Sequence, residues 1–382
     1  MQIGQIHSIY RSSIPSGENM TVEDIGNVLK SIGHSVSLYS FDSDSLVQSR
    51  LSVAKRALQI VSSRYSEDRV FEEWVSKQEL IQIHNAFPGL TLGKLEILKE
   101  SGVPIVRVIH NYRKTCLSGN HIRKGNPCFK CNVNSQLNGV FFGCYNNSYL
   151  MSIFVKTYSK LLKKFEDDTR VRYVAVSNVI SEYLKNTGIA PNRILVAPNS
   201  VPQHQAINFN ASEVLLLGRL EAEKGILKAL DIWSKNSNLP ILNIVGSGSL
   251  EKYVKIKVQG ISNVNFHGYL KGLSLERVTG RCKVALILNT WDEPFGRTFA
   301  EALARGQAIV AYDRGMASEF IFPGKNGFLV EHDSDVVNAV EQSMILTHES
   351  LNSVSRSLWN EKYSPEAVKN IWENIVLKIG KE

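Results

Sequence analysis

The stretch WDEPFGRTFAEALARG, residues 291–306, sets Glu293 ahead of a Pro-Phe-Gly turn and Glu301 inside an alanine-rich run. A carboxylate accepts hydrogen bonds and donates none, which suits it to the paired hydroxyls of a ribose or hexose. The run from Arg297 to Ala304 reads as a helix closed by Gly306, so Glu301 stands on a helix and Glu293 on the loop before it. Backbone N–H groups of Phe295, Gly296, Arg297 and Thr298, at the start of that helix, remain for an anion such as phosphate. A second group lies upstream. EVLLLG ends at Gly218 and is followed by Arg219, with Lys224 just before Gly225 and the next helical run. Two cations at a strand-to-helix turn make a clamp for a diphosphate. Taken singly, an exposed pair of glutamates or a solvated Arg and Lys is the commoner meaning of such spacings. Together they favour a site for phosphate and sugar hydroxyls.

The elements that must position these residues alternate. MQIGQIHSIY, HSVSLYS, ELIQIHNAF, VPIVRVIHN and RYVAVSN read as strands, separated by helical runs such as LGKLEILKESG and VISEYLKNTG. A first helix is predicted within SGENMTVEDIGNVLKSIG, starting near Thr21, whose spacing to Asp24 resembles a capping pair. After a linker at Pro198–Asn210 the pattern restarts with EVLLLG, a helix from about Gly225 to Ser234, then ILNIVGSG, VNFHGYL, KVALILN, AIVAYD and GFLV. Strands alternating with helices imply parallel sheets covered on both faces. We therefore expect an α/β chain of two Rossmann-like domains, at 1–203 and 204–362, with ligands outside the carboxyl ends of the strands. Residues 363–382 carry Val368, Ile371, Trp372, Ile375 and Val376 at helical spacing, which predicts a last helix packed back on the first domain.

GRLEAEKG, VGSGSLEKYV, VNFHGYL, APNSV and EPFGRTFAEALARGQAIVAYDRGMASEFIFPGKNGFLV resemble, in order and spacing, the C-terminal half of the retaining glycosyltransferases of family four (glycosyl transferases group 1), which have the GT-B fold. PSGENMTVEDIGNVLKSIGHSV, IQIHNAFP and VPIVRVIHNYRKTCLSGN extend the resemblance into the first half. It implies a nucleoside diphosphate sugar donor, UDP- or GDP-linked, and a hydroxyl acceptor that is a glycan or lipid-linked glycan. Glu301 would take the ribose hydroxyls and Glu293 those of the donor sugar. Arg219 and Lys224 would neutralise the departing diphosphate, a task stronger in the transition state than in the ground state. Phe295, Gly296, Arg297 and Thr298 would present backbone N–H groups, Gly268 and Tyr269 would lie beside the base, and Gly17 would admit a close backbone approach to the donor.

The resemblance also places His110, at the end of VPIVRVIH, beside the donor sugar as a hydrogen-bond partner; His84 ends IQIHNAF in the same way. A strand-end histidine satisfied within the fold is the alternative for each, and His84 ranks behind His110. The favoured mechanism is front-face attack with no cofactor required. A nucleotide-sugar epimerase of the same architecture and a non-catalytic sugar-binding protein are the competing readings. Three positions depart from the pattern: Ser16 before Gly17, Ser200 in APNSV and Arg297 in EPFGR. None of the three removes a catalytic group.

Composition fits a globular chain: 382 residues, 43% hydrophobic and 21% charged. The net charge of +8 suits a phosphate-bearing ligand or an anionic membrane face; without a nucleic-acid-binding pattern, no nucleic-acid partner is expected. The N-terminus lacks signal-peptide character, so the chain reads as cytoplasmic. Cys116, Cys128, Cys131 and Cys144 fall in an insert at 112–146. A structural zinc, buried thiols and a disulfide all remain open there. IFVKTYSKLLKKFEDD carries Lys156, Lys160, Lys163 and Lys164 with Ile153, Phe154, Tyr158, Leu161 and Leu162. It is either a helix packed on its own sheet or one resting peripherally on the inner face of an anionic membrane.

Overall fold

A computed structural model describes residues 1–9, 17–42, 68–132 and 135–380; Ser16 lies outside the described residues. The chain forms two compact units. The first comprises Met1–Asn120, Phe129–Ser200 and Val368–Glu382, and the second His121–Cys128 and Val201–Ala367.

The first unit is built on strands β1 (Gln2–Ile9), β2 (Ser35–Asp42), β3 (Leu80–Ile83), β4 (Ile105–Ile109), β7 (Val171–Ala175) and β8 (Ile194–Val196), while β5 (Ile122–Arg123) and β6 (Asn126–Pro127) pair as a hairpin grouped with the second unit. The sheet order is β2-β1-β3-β4-β7-β8, with every neighbouring pair parallel. Burial runs unbroken along β3 and β4, as expected of strands covered on both faces. Helices start where a hydroxyl can take an orphan N–H: Thr91 caps Leu92–Glu100, Ser148 caps Tyr149–Glu166 and Ser177 caps Asn178–Asn186. The first helix is Gly17–Ser31, four residues ahead of the expected start. Thr21 does not cap it but donates its hydroxyl to the Gly17 carbonyl at 2.9 Å, the back-bond of a threonine inside a helix.

The second unit carries β9 (Glu213–Leu217), β10 (Leu242–Val245), β11 (Val264–Gly268), β12 (Cys282–Ile287), β13 (Ala308–Tyr312) and β14 (Gly327–Val330). Their order is β11-β10-β9-β12-β13-β14, all parallel, which is the Rossmann order with its reversal between β9 and β12. The helix predicted from Gly225 is Ile226–Lys235; it buries Ile226, Leu230 and Trp233, each stabilising by roughly 2 kcal/mol on burial. The linker is tied down by Val201, whose N–H reaches the Tyr363 carbonyl and whose own carbonyl receives the Trp359 indole. The last helix, Pro365–Ile379, begins in the second unit and from Val368 onward belongs to the first; beyond it, a Cβ on Gly380 would lie 3.9 Å from the Met1 sulfur.

Candidate functional site

The reversal between β9 and β12 is where a doubly wound sheet leaves a crevice at its strand ends, and both ends carry predicted residues. Beyond β9, Lys224 closes a short 3-10 turn, Ala222–Lys224, and Gly225 follows in the left-handed region at φ 74°. A Cβ on Gly225 would stand 2.0 Å from the Leu288 carbonyl oxygen, so only glycine lets the turn press against the β12 exit. The Thr290 N–H donates to the Glu223 carbonyl at 2.9 Å and stitches the two loops together. In that arrangement Lys224 Nζ lies 2.6 Å from Glu293 Oε1, and Asn289 Nδ2 donates to the other carboxylate oxygen. Each oxygen keeps a second lone pair for a ligand hydroxyl. Lys224 also lies 5.7 Å from the Trp291 ring centroid. Arg219 is 52% exposed, 3.8 Å from Glu223, and can swing toward an anion.

Glu301 stands on the helix Arg297–Arg305. Arg297 donates to Glu301 Oε1 at 3.1 Å, and Arg305 lies 3.7 Å from Oε2. Arg297 therefore pairs with the glutamate four residues on. Arg305 is only 3% exposed; burial lowers its pKa while Glu301 raises it. His204 belongs to the same group: burial and then Arg305 push its pKa down to about 4, against Glu301, and its Nε2 is buried without a hydrogen-bond partner. Phe295 is core, edge-on to Phe320 and Tyr363, so it can offer a ligand only backbone. Gly296 takes φ 76°, and intrahelical bonding begins with the Phe299 N–H to the Gly296 carbonyl at 2.9 Å. Gly268 ends β11 with its carbonyl accepting from Gly246 N–H at 2.8 Å, and Tyr269 beside it is exposed.

In the first unit the reversal falls between β1 and β3, and the histidines gather there. His7 on β1 and His84 after β3 are buried, with ring centroids 6.3 Å apart. His110, just beyond β4, holds its ring nearly parallel to that of His84, the centroids 5.4 Å apart and His84 Nδ1 3.1 Å from His110 Nε2. Burial drives His84 well below the ordinary histidine value and His110 down to about 4, with Glu18 opposing the shift at His110. Beneath them Arg107 reaches the His84 carbonyl at 3.2 Å and Glu166 at 2.7 Å. Burial raises the Glu166 pKa, but Lys114 and Arg107 outweigh it and hold the carboxyl below its usual value. Gly17 is exposed at the first turn of its helix.

Sequence reasoning missed Asn289, Arg305, His204, His7 and Gln5. Their only signal was position: a strand end, a helix register or a linker. The four cysteines of the insert are thiols, Cys116 buried and the others half-buried. Among the described residues no three His, Cys, Asp or Glu side chains form a group that could hold a metal ion. No helix among the described residues is long and apolar enough to cross a membrane.

Residues 199–355 match the family model of glycosyl transferases group 1. A curated relative, spore coat protein SA of Bacillus subtilis, is 32% identical over 132 residues, 31% of this chain. The matched chain spans about a third of that relative's length, 35%. Sucrose-phosphate synthase from Thermosynechococcus elongatus superposes with a TM-score of 0.69 at 14% identity, over 99% of this chain and 98% of that one. Anabaena HepE, solved with UDP, gives 0.63 at 16% over 99% and 100%. The lipopolysaccharide outer core galactosyltransferase WaaB gives 0.64 at 16% over 99% of both chains. The chain thus has the GT-B fold and, over residues 199–355, matches the glycosyl transferases group 1 domain.

Proposed function

We propose that the chain is a retaining hexosyltransferase that moves a sugar from a nucleoside diphosphate sugar to a hydroxyl acceptor in polysaccharide, lipopolysaccharide or other glycoconjugate assembly. The observation that carries this reading is Lys224 set against Glu293, with Asn289 behind, at the reversal point of the second sheet. It offers one cation to a phosphate and two oriented oxygens to sugar hydroxyls. UDP is the favoured nucleotide because the similar fold of HepE was solved with UDP and with UDP-glucose. In this reading Glu301 takes the ribose hydroxyls, with Arg297 and Arg305 fixing its carboxylate. Gly268 and Tyr269 flank the base, and N–H groups of Phe295 to Thr298 face phosphate and sugar. Lys224 and Arg219 stabilise charge as the glycosidic bond breaks. The leaving phosphate oxygen takes the acceptor proton while the acceptor oxygen attacks the same face.

Peripheral membrane contact, for a lipid-linked acceptor, is supported by an apolar patch in the first unit. Phe141 is 72% exposed, Leu150 64% and Ile153 50%, and Lys160 and Lys164 continue the exposed face of the helix Tyr149–Glu166. Tyr158, counted in the apolar stripe, instead packs inward and donates to the Leu90 carbonyl at 2.9 Å.

The test is a panel of UDP- and GDP-sugars scored by thermal shift and by product analysis. A ligand at a hundred times its Kd stabilises by about 2.7 kcal/mol. Stabilisation by one donor, with sugar transfer only when a glycan acceptor is added, is the expected result. Conversion of donor without any acceptor would replace the reading with an epimerase, and no response to any donor would overturn it.

A further inference from the structure

The histidines of the first unit form a directed chain of hydrogen bonds whose polarity can be read from one fixed point. Gln5 Nε2 lies 3.3 Å from the Val22 carbonyl oxygen and 3.1 Å from Gln82 Oε1. A backbone carbonyl only accepts, so it fixes which end of the Gln5 amide is nitrogen. The same Nε2 stands 3.5 Å from His84 Nε2; its two hydrogens are taken by Val22 and Gln82 and it offers no lone pair, so a hydrogen on His84 Nε2 would face it without an acceptor, and the bare nitrogen of the ring belongs there. A neutral imidazole with a bare Nε2 carries its proton on Nδ1. His84 Nδ1 is 3.1 Å from His110 Nε2, so His110 Nε2 receives that proton in a hydrogen bond, and His110 in turn carries its own hydrogen on Nδ1.

We infer that His84 is a positioning residue that locks His110 as the Nδ1–H tautomer, so that a sugar oxygen presented to His110 meets a fixed neutral donor rather than a base. The surroundings agree. Facing His110 are His84 after β3, His7 on β1, Arg107 on β4 and Glu18 on the first helix. Only Glu18 favours the charged ring, and burial with the two basic neighbours prevails. His110 therefore stays neutral through the physiological range, and its one lone pair is already occupied by His84. The proposed glycosyl transfer supplies only the identity of the oxygen that His110 meets; the tautomer itself does not depend on it.

The experiment uses the full chain labelled with nitrogen-15 in its histidine rings, with long-range proton–nitrogen correlation and His110→Gln to assign the signal. The expected spectrum shows His110 protonated at Nδ1 and bare at Nε2 from pH 6 to 8. His84→Leu should give mixed tautomers at His110. His84→Asn, which keeps an N–H near the same place, should restore the single tautomer. With a donor sugar found by the nucleotide panel, His84→Leu should lower kcat roughly tenfold, the scale of one transition-state hydrogen bond. A wild-type His110 protonated at Nε2, or a His110 signal unchanged in His84→Leu, overturns the inference. Should His84→Leu fail to fold, the wild-type spectrum still decides. Absence of any donor would sink the transfer reading and leave the tautomer result standing.

Discussion

Lys224 Nζ lies 2.6 Å from Glu293 Oε1, although the two residues come from turns after different strands. Both side chains are largely buried, at 13% and 18% exposure, so neither charge can be removed without stranding the other. Lys224→Ala should abolish transfer and destabilise the fold by about 2–3 kcal/mol, and Glu293→Ala should do the same. The double variant should cost less stability than the two singles added together. Thermal unfolding of all three measures this; strict additivity would mean that the pair carries no coupling.

Arg219 makes the contrast. With half its side chain in solvent and only a 3.8 Å contact to Glu223, it contributes little to the fold. Arg219→Ala should leave the melting temperature within about a degree while lowering kcat by roughly a hundredfold or more, the scale of one lost transition-state donor. Full activity in this variant would remove Arg219 from the diphosphate role.

Glu301 should separate nucleotide affinity from chemistry. Glu301→Gln keeps the side-chain shape but withdraws the charge between Arg297 and Arg305. UDP binding by calorimetry should weaken roughly tenfold, about 1.4 kcal/mol. Glu301→Ala should also cost about 3 kcal/mol of stability, because Arg305 is left buried without its partner.

The pH dependence of stability follows from the depressed histidines. His110 and His204 are held near 4 in the fold, mainly by burial, against an ordinary value of 6.5. Below 6.5 the unfolded chain binds protons that the folded chain refuses. Stability should therefore be undiminished above 6.5, fall as pH drops toward 4, and level off below it as far as these groups are concerned. Melting curves across that range check the sign, and His204→Gln should flatten part of the slope.

The apolar patch gives a test of membrane contact. Phe141→Ser with Leu150→Ser removes two exposed side chains, each of which would contribute on the order of 1–2 kcal/mol if buried in an interface. Co-sedimentation with phosphatidylglycerol vesicles should fall at least tenfold, and the melting temperature should hold. Equal sedimentation of variant and wild type would discard the membrane reading.

The alternation of strands and helices and the returning last helix were legible because each rests on local periodicity and turn chemistry. The start of the first helix was misjudged: Thr21 and Asp24 imitate a cap, but Thr21 bonds backward to Gly17. At the site, the residue types in EPFGRTFAE could be read, but not their partners. Asn289 meets Glu293 and Arg305 meets Glu301 through strand-end geometry and helix register. Gln5 and His7 looked like ordinary strand residues, because only the crossing of β1 beside β3 sets them against His84. The cysteine spacing allowed several chemistries, and none could be chosen without knowing which turns hold the thiols.

Gly225 leaves no gap between its turn and the Leu288 carbonyl. The loops bearing Lys224 and Glu293 thus share a single close-packed wall. An engineer wishing to alter the sugar of the proposed transfer would have to exchange side chains hung on that wall, since respacing the loops would break the strand ends that hold them.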